Sequence, residues 1–300
     1  MIALLLAAAA LPPGPLDFKA QDMRIEPKDR RVLLDGDVRL VRGDLVITGG
    51  HAVADYAEAK ARPAARKRTK PQAEATLGGQ EVQKFTVDEN VHVERGTRTA
   101  DGEHGVLDVP AQTMVLTGTA EKPPVLRDGS ETLSGERILL HLESEDVDVS
   151  RPRLVLKRSL PSDTQKSDTP VRVEASKLQL DKSARLARFS DEVVLRRADT
   201  VVRSPRMDAR YDQDGQLTVL ELRGGVDMKQ GDRRATGQSA DYDAKAKTLV
   251  LKGDPRLYDR GDVLTGDRID LALDSKEVRV EKARGRLRPE AHKDEGGPRR

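Results

Sequence analysis

Three observations predict an all-β repeat fold for this chain. Short runs place an apolar residue or Gly at every second position. A second run follows most of them at a constant offset of eleven residues. Gly-Asp pairs stand between the two runs in several copies. Alternation of period two marks a strand with one buried face, and Gly-Asp supplies turn geometry. The strand–turn–strand unit recurs seven times.

The first strand of the unit reads Val32-x-Leu34-x-Gly36-x-Val38-x-Leu40. It returns at Phe85-x-Val87-x-Glu89-x-Val91-x-Val93, at Ala187-x-Phe189-x-Asp191-x-Val193-x-Leu195 and at Leu220-x-Leu222-x-Gly224-x-Val226-x-Met228. A further copy is Leu249-x-Leu251-x-Gly253-x-Pro255-x-Leu257, and weaker ones centre on Pro124-x-Leu126 and Pro152-x-Leu154. Gly49 follows Val38 by eleven residues and leads into Ala52-x-Ala54-x-Tyr56. Gly102, Gly135, Ser204, Gly237 and Gly266 repeat the offset in their own copies. This second Gly or Ser marks a bend or a close backbone approach. Gly43-Asp44, Gly231-Asp232 and Gly261-Asp262 are the expected turns; their spacing does not suit a calcium-binding solenoid.

A lone half-unit at Ala20, Met23 and Ile25 precedes the first copy, and Val278 and Val280 form a closing strand. Two stretches, 57–80 and 157–170, interrupt the repeat and read as solvated loops. The tail 289–300 reads as disordered. Each unit exposes an apolar stripe that only a stacked neighbour can cover, so the copies must build one continuous interior. No cap is visible at either end, which leaves edges open to strand addition.

Composition narrows the function. Charged residues make up 35% of the chain, apolar residues 36% and aromatics 2%, so order must come from pattern. The 53 basic and 51 acidic residues are interspersed along the sequence, unlike a nucleic-acid binder with its basic residues on one face. Stacking aromatics for single strands are missing too; no nucleic-acid partner is expected. Without Cys there is neither a disulfide, a thiolate metal site nor a cysteine nucleophile. The apolar run Ile2 to Leu11, small residues Ala8 to Ala10 and the breaker Pro12-Pro13-Gly14-Pro15 make 1–15 a signal peptide, although no positive n-region precedes the run. Export is therefore expected.

Gly36-Asp-Val-Arg-Leu-Val-Arg-Gly-Asp-Leu-Val-Ile-Thr-Gly49 resembles the OstA-like, or LptA-type, lipopolysaccharide-transport proteins. So do Ala235-Thr-Gly-Gln-Ser-Ala-Asp-Tyr-Asp243 and Leu264-Thr-Gly-Asp-Arg-Ile-Asp-Leu271. The resemblance extends from about Phe18 to Leu287. It implies an open twisted β-jelly-roll of stacked antiparallel strands in the periplasm. It also implies a carrier of lipopolysaccharide from inner to outer membrane, with the lipid A acyl chains on an apolar inner face. Implied partners are related jelly-roll domains of an inner-membrane transporter subunit and of an outer-membrane barrel, reached by edge-strand addition, and head-to-tail copies of the chain itself. Seven copies are about twice the usual number for one such domain, so the roll is elongated or duplicated. Blocks of 16–150 and 151–288 divide it, the first carrying the basic insertion.

On this reading the groove candidates are Val38, Leu40, Val91, Val93, Val193 and Leu195, then Leu220, Leu222, Val226, Met228, Leu251 and Leu257. Arg66, Lys67 and Arg68 in the basic loop are candidates for contact with lipid phosphates. The five histidines, His51, His92, His104, His141 and His292, show no metal-ligand spacing. No catalytic residue, cofactor or metal site is expected, and no phosphate-binding glycine loop is present. A structural repeat protein of the envelope and an enzyme on a β-solenoid remain as alternatives. The first predicts a closed core and the second an acidic cleft.

Overall fold

The computed structural model describes residues 16–57, 76–77, 80–157, 169–272 and 277–286. The signal peptide, most of both insertions, Arg66, Lys67, Arg68, His292 and the tail lie outside the described residues.

Apart from the short Thr76–Leu77, which pairs with the start of Gln80–Arg95, the described strands stack as sixteen antiparallel rows, and almost every row bends once near its middle. Row 1 is Asp17–Lys19 with Asp22–Glu26. Rows 2 to 5 are the long strands Arg31–Arg42, Leu45–Ala57, Gln80–Arg95 and Arg98–Asp108. In rows 6 to 9 the bend splits the strand in two: Thr113–Thr117 and Val125–Asp128, Glu131–Ser134 and Arg137–His141, Val147–Ser150 and Arg153–Leu156, Val171–Glu174 and Lys177–Asp181. Rows 10 to 13 are again long: Leu186–Arg197, Thr200–Tyr211, Leu217–Gln230 and Arg233–Asp243. Rows 14 to 16 are Thr248–Lys252 and Arg256–Asp259, Asp262–Thr265 and Arg268–Ala272, Val278–Glu281 and Arg284–Arg286.

Halves on one side of the bend pair only with one another. Asp22–Glu26 pairs with the start of row 2, as in Met23 opposite Leu34. Asp17–Lys19 pairs with its end, as in Phe18 opposite Leu40. The same separation holds down to row 16, where Val280 faces Ile269 and Gly285 faces Leu264. Two sheets result, joined along the bends and enclosing one apolar cluster. We call the sheet beginning with Asp22–Glu26 sheet I and the other sheet II. Ser150 and Arg151 sit at the bend of row 8, whose two halves pair with rows 7 and 9. The ladder thus passes without a gap through the position that divides the repeat into blocks.

The eleven-residue offset is the cross-strand register itself. Val38 lies opposite Gly49, Val91 opposite Gly102, Val193 opposite Ser204 and Val226 opposite Gly237. Each pair is closed by a two-residue hairpin loop, because Arg42 faces Leu45 and Gln230 faces Arg233. The turn placed at Gly261-Asp262 is shifted by one residue. Asp259 pairs with Asp262, so the loop is Arg260-Gly261 and Asp262 opens the next strand.

Two opposite devices make the bends. The first strand of a unit carries a bulge with left-handed backbone, such as Gly36 (φ 76°) and Asp37 (φ 47°). Gly and Asp tolerate that region best. The second strand needs room instead of a special angle. A Cβ on Gly49 would come within 2.5 Å of Val87 Cγ1 and 2.9 Å of the Asp88 carbonyl.

Candidate functional site

The interior between the sheets is the feature with the reach and chemistry to bind something long and apolar. Every second side chain of each row points into it. Val38, Leu40, Val91, Val93, Val193, Leu195, Val226, Met228 and Leu257 project from sheet II, and Leu220, Leu222 and Leu251 from sheet I. All twelve belong to, or pack on, the single core cluster. Sheet I contributes Phe85, Ile138, Leu178 and Phe189 opposite them, which follow the repeat, and Met114, which the repeat did not mark.

A second set was not legible as strand at all. Leu45, Ile47, Ala100, Val202 and Ala235 are buried on sheet II, in the first halves of second strands. In row 3 the inward positions are Leu45 and Ile47 before the bend but Ala52, Ala54 and Tyr56 after it. The parity switches at Gly49-Gly50, so no single alternation spans the row. In row 2 the bulge preserves parity from Val32 to Leu40, which is why the first strand stood out.

Packing changes along the roll. Through the middle the facing side chains meet, with Leu116, Leu133 and Ile138 completely shielded from solvent. Near the start, Leu40, Arg42 and Ile47 face Phe85 and Leu107 around a void of about 10 Å³, enough for one water. Toward the far end the packing loosens. Met228, Leu257, Leu264, Leu271 and Val278 line a cavity of about 290 Å³, with Arg233, Asp259 and Glu277 on its rim. At both ends the outer row has no further partner among the described residues. At the start Phe18, Met23 and Ile25 face inward yet remain 40%, 52% and 51% exposed, because no row covers them.

The seam opposite the bends is polar. Arg42 and Glu131 occupy inward positions at the free margin of sheet II and are 3% and 2% exposed. Burial holds the Arg42 guanidinium below its ordinary value. Halfway along, Lys182 of sheet I is ion-paired to Glu145. Burial lowers its ammonium pKa, and the nearby Arg98 of sheet II, paired to Asp128 at 3.0 Å, lowers it further. Tyr211 of sheet I has its phenol pushed up by burial and then by Glu131 of sheet II. The sheets therefore meet at mid-seam through charged and hydroxyl groups, over an otherwise apolar interior.

The four described histidines lie on the outer faces, each against an aspartate of the adjoining row. His51 Nδ1 is 2.7 Å from Asp35, His92 Nδ1 2.6 Å from Asp101, His104 Nδ1 2.5 Å from Asp88 and His141 Nε2 2.8 Å from Asp148. His92 and His104, though in one unit, fall on different sheets. No group of three metal-ligating side chains occurs among the described residues.

A family model described as LptA/(LptD N-terminal domain) LPS transport protein matches residues 17–146 and 172–277. The "LPS-assembly protein LptD" of Pseudomonas syringae pv. syringae (strain B728a) is 40% identical over 75 residues, which are 25% of this chain and 8% of that protein. The "Uncharacterized protein R00383" of Rhizobium meliloti (strain 1021) is 24% identical over 130 residues, covering 40% of this chain and 70% of that protein. Among solved structures, LptH, "the LptA homologous periplasmic component of the conserved lipopolysaccharide transport device from Pseudomonas aeruginosa", aligns with a TM-score of 0.38 at 18% identity. That alignment covers 41% of this chain and 97% of LptH. The LptD relatives are far longer than the stretch they share with this chain. The family model spans both halves of the roll and most of its rows, and the chain belongs to the LptA/(LptD N-terminal domain) LPS transport protein family.

Proposed function

We propose that this chain is a periplasmic, non-catalytic bridge that binds lipopolysaccharide and passes it between inner and outer membrane along its apolar interior. The observation that carries the reading is the continuous inward stripe from Phe18 to Val280, bordered at both ends by unpaired rows. Acyl chains would lie between Val38, Leu40, Val91, Val93, Val193 and Leu195 on one side and Leu220, Leu222 and Leu251 on the other. Val226, Met228 and Leu257 would receive them at the loosened end. Each methylene taken from water contributes ~0.8 kcal/mol, so several chains in a dry groove bind firmly. Arg66, Lys67 and Arg68 would meet the headgroup phosphates. Blocks 16–150 and 151–288 would act as one elongated roll. Strand addition at row 1 and row 16 would join it to jelly-roll domains of a membrane transporter subunit and an outer-membrane barrel, or to further copies.

A structural envelope scaffold is the second reading, favoured by the filled interior of the middle rows. Native mass spectrometry with intact and with deacylated lipopolysaccharide separates the two. Acyl-dependent adducts that diminish in Met228→Asp, with the melting curve retained, support the bridge. A folded protein that takes up neither lipid supports the scaffold.

A further inference from the structure

Charges interspersed along the sequence are sorted by register onto one outer face. On sheet II from row 8 to row 16, two outward columns run across the strands. The column beside the bends places Arg153, Arg203, Arg256 and Arg284 among Glu174, Val194, Asp227, Thr236 and Thr265. The middle column runs Val155, Arg172, Arg196, Val201, Lys229, Arg234, then Tyr258, Val263 and Arg286. Nine of these eighteen positions are Arg or Lys, and two are acidic. All nine cations are exposed.

The two acids answer two of the cations. Glu174 pairs with Arg196 at 3.2 Å and Asp227 with Arg234 at 2.8 Å. Arg172, Arg203, Lys229 and Arg256 have no ion-pair partner among the described residues. The outer face of sheet I in the same rows is different. There Arg223 pairs with Glu221 and Asp241, Lys252 with Asp241 at 3.3 Å, and Arg268 with Asp270 at 2.6 Å. Rows 1 to 6 of sheet II carry Lys19, Arg39 and Arg127 against Asp17, Glu94 and Asp101. Lys177, Arg206 and Arg279 on sheet I also lack an ion-pair partner among the described residues, but they stand among Asp208, Glu221, Asp241, Asp243, Asp270 and Glu281, so the excess of positive charge gathers on sheet II of this half, in a chain whose net charge is +2.

Two pairs of cations are also directly opposed across strands, Arg172 with Arg196 and Lys229 with Arg234. Like charges in that position destabilise a sheet unless a counter-anion lies over them. Half-buried Val194, Val201, Tyr258 and Val263 separate the cations and give their aliphatic stems an apolar bed. We propose that this face docks the roll on the surface of an anionic phospholipid bilayer. The phosphates supply the missing counter-charge, and Tyr258 suits the boundary between headgroup and water. Tyr258 is the one aromatic in the stripe, which gives no stacking platform for nucleic-acid bases. The docking face is on the outside of the roll and does not rest on the lipid-carrier reading.

Flotation of the full chain with phosphatidylglycerol–phosphatidylethanolamine vesicles, and with phosphatidylcholine vesicles, tests the docking. Binding should require the anionic lipid and weaken steeply with added salt. The variant R172Q/R196Q/K229Q/R234Q should partition about six hundredfold less, from a roughly fivefold loss per cation. The variant K177Q/R188Q/R206Q/K252Q removes the same charge from sheet I and should stay within about twofold of wild type. Equal losses in the two variants would reduce the effect to net charge and overturn the proposal. So would equal binding to neutral vesicles, or tighter binding to duplex DNA than to vesicles at equal phosphate concentration. The salt series on the unaltered chain decides the matter even if a variant misfolds.

Discussion

Gly49 lies beneath Val87 so closely that a Cβ on the glycine would overlap the valine methyl. Its backbone is not in the left-handed region, so space alone demands glycine here. Gly49→Ala is expected to destabilise the fold by about 1–3 kcal/mol, the usual cost of overpacking a close contact. Gly50→Ala is expected to cost less, since its Cβ would meet the Glu89 carboxylate, which can swing away, and the Glu89 Cβ at 2.9 Å, but no backbone atom. Urea unfolding of the two variants checks the order, and equal midpoints would show that the bend can relax.

Leu251 is completely buried on sheet I, whereas Leu264 lines the cavity at the loosened end. Leu251→Ala is expected to lose about 2–5 kcal/mol through lost transfer energy and a new void. Leu264→Ala enlarges a space that already exists and is expected to lose about 1 kcal/mol or less. Denaturant midpoints at constant m-value decide this. A loss at Leu264 as large as that at Leu251 would mean that the far end is packed as tightly as the middle.

These contrasts mark where the sequence was legible. The offset from Val38 to Gly49 was readable because a two-residue hairpin fixes register over a short distance. Val32 to Leu40 was readable because its bulge keeps one parity on both sides of Gly36. Leu45 and Ile47 were missed because the parity of their row changes at Gly49-Gly50. The position of Arg172 opposite Arg196 could not be read either. A bend, a turn and a bulge lie between the two residues, and which outward residues meet is set by pairing, not by spacing along the chain. The polar seam was hidden for the same reason, since Lys182 and Arg98 approach from different sheets.

His51 Nδ1–H donates to the Asp35 carboxylate on the outer face, and that hydrogen bond, with the charge of Glu89, raises the imidazole pKa. A raised folded value means that the pairing supports the fold fully below the free-imidazole value of about 6.5. The support is lost as pH rises through the raised value. An imidazole titration followed by NMR should therefore place the His51 midpoint above that of a free histidine, and Asp35→Asn should bring it down. The drop in melting temperature between about pH 5.5 and 8.5 should also be smaller in His51→Gln than in wild type. An unchanged midpoint in Asp35→Asn would assign the shift to Glu89 instead.

Met23 and Ile25 continue the inward stripe onto row 1, where they stay half-exposed because no further row pairs there. Nothing in the fold requires them to be apolar, so Met23→Asp/Ile25→Asp should alter unfolding free energy by no more than about 0.5 kcal/mol per site. If the row is a docking edge, the same change puts two carboxylates where a neighbouring apolar stripe must continue. Sedimentation velocity across a concentration series should then show the wild type associating and the double variant remaining monomeric. Association that survives the substitution would move the contact to row 16, where Val278 offers the matching exposed position. Where the row 1 changes do abolish association, Val278→Asp separates the two geometries that remain, because it blocks a contact that joins row 1 to row 16 but leaves a row 1 to row 1 contact intact.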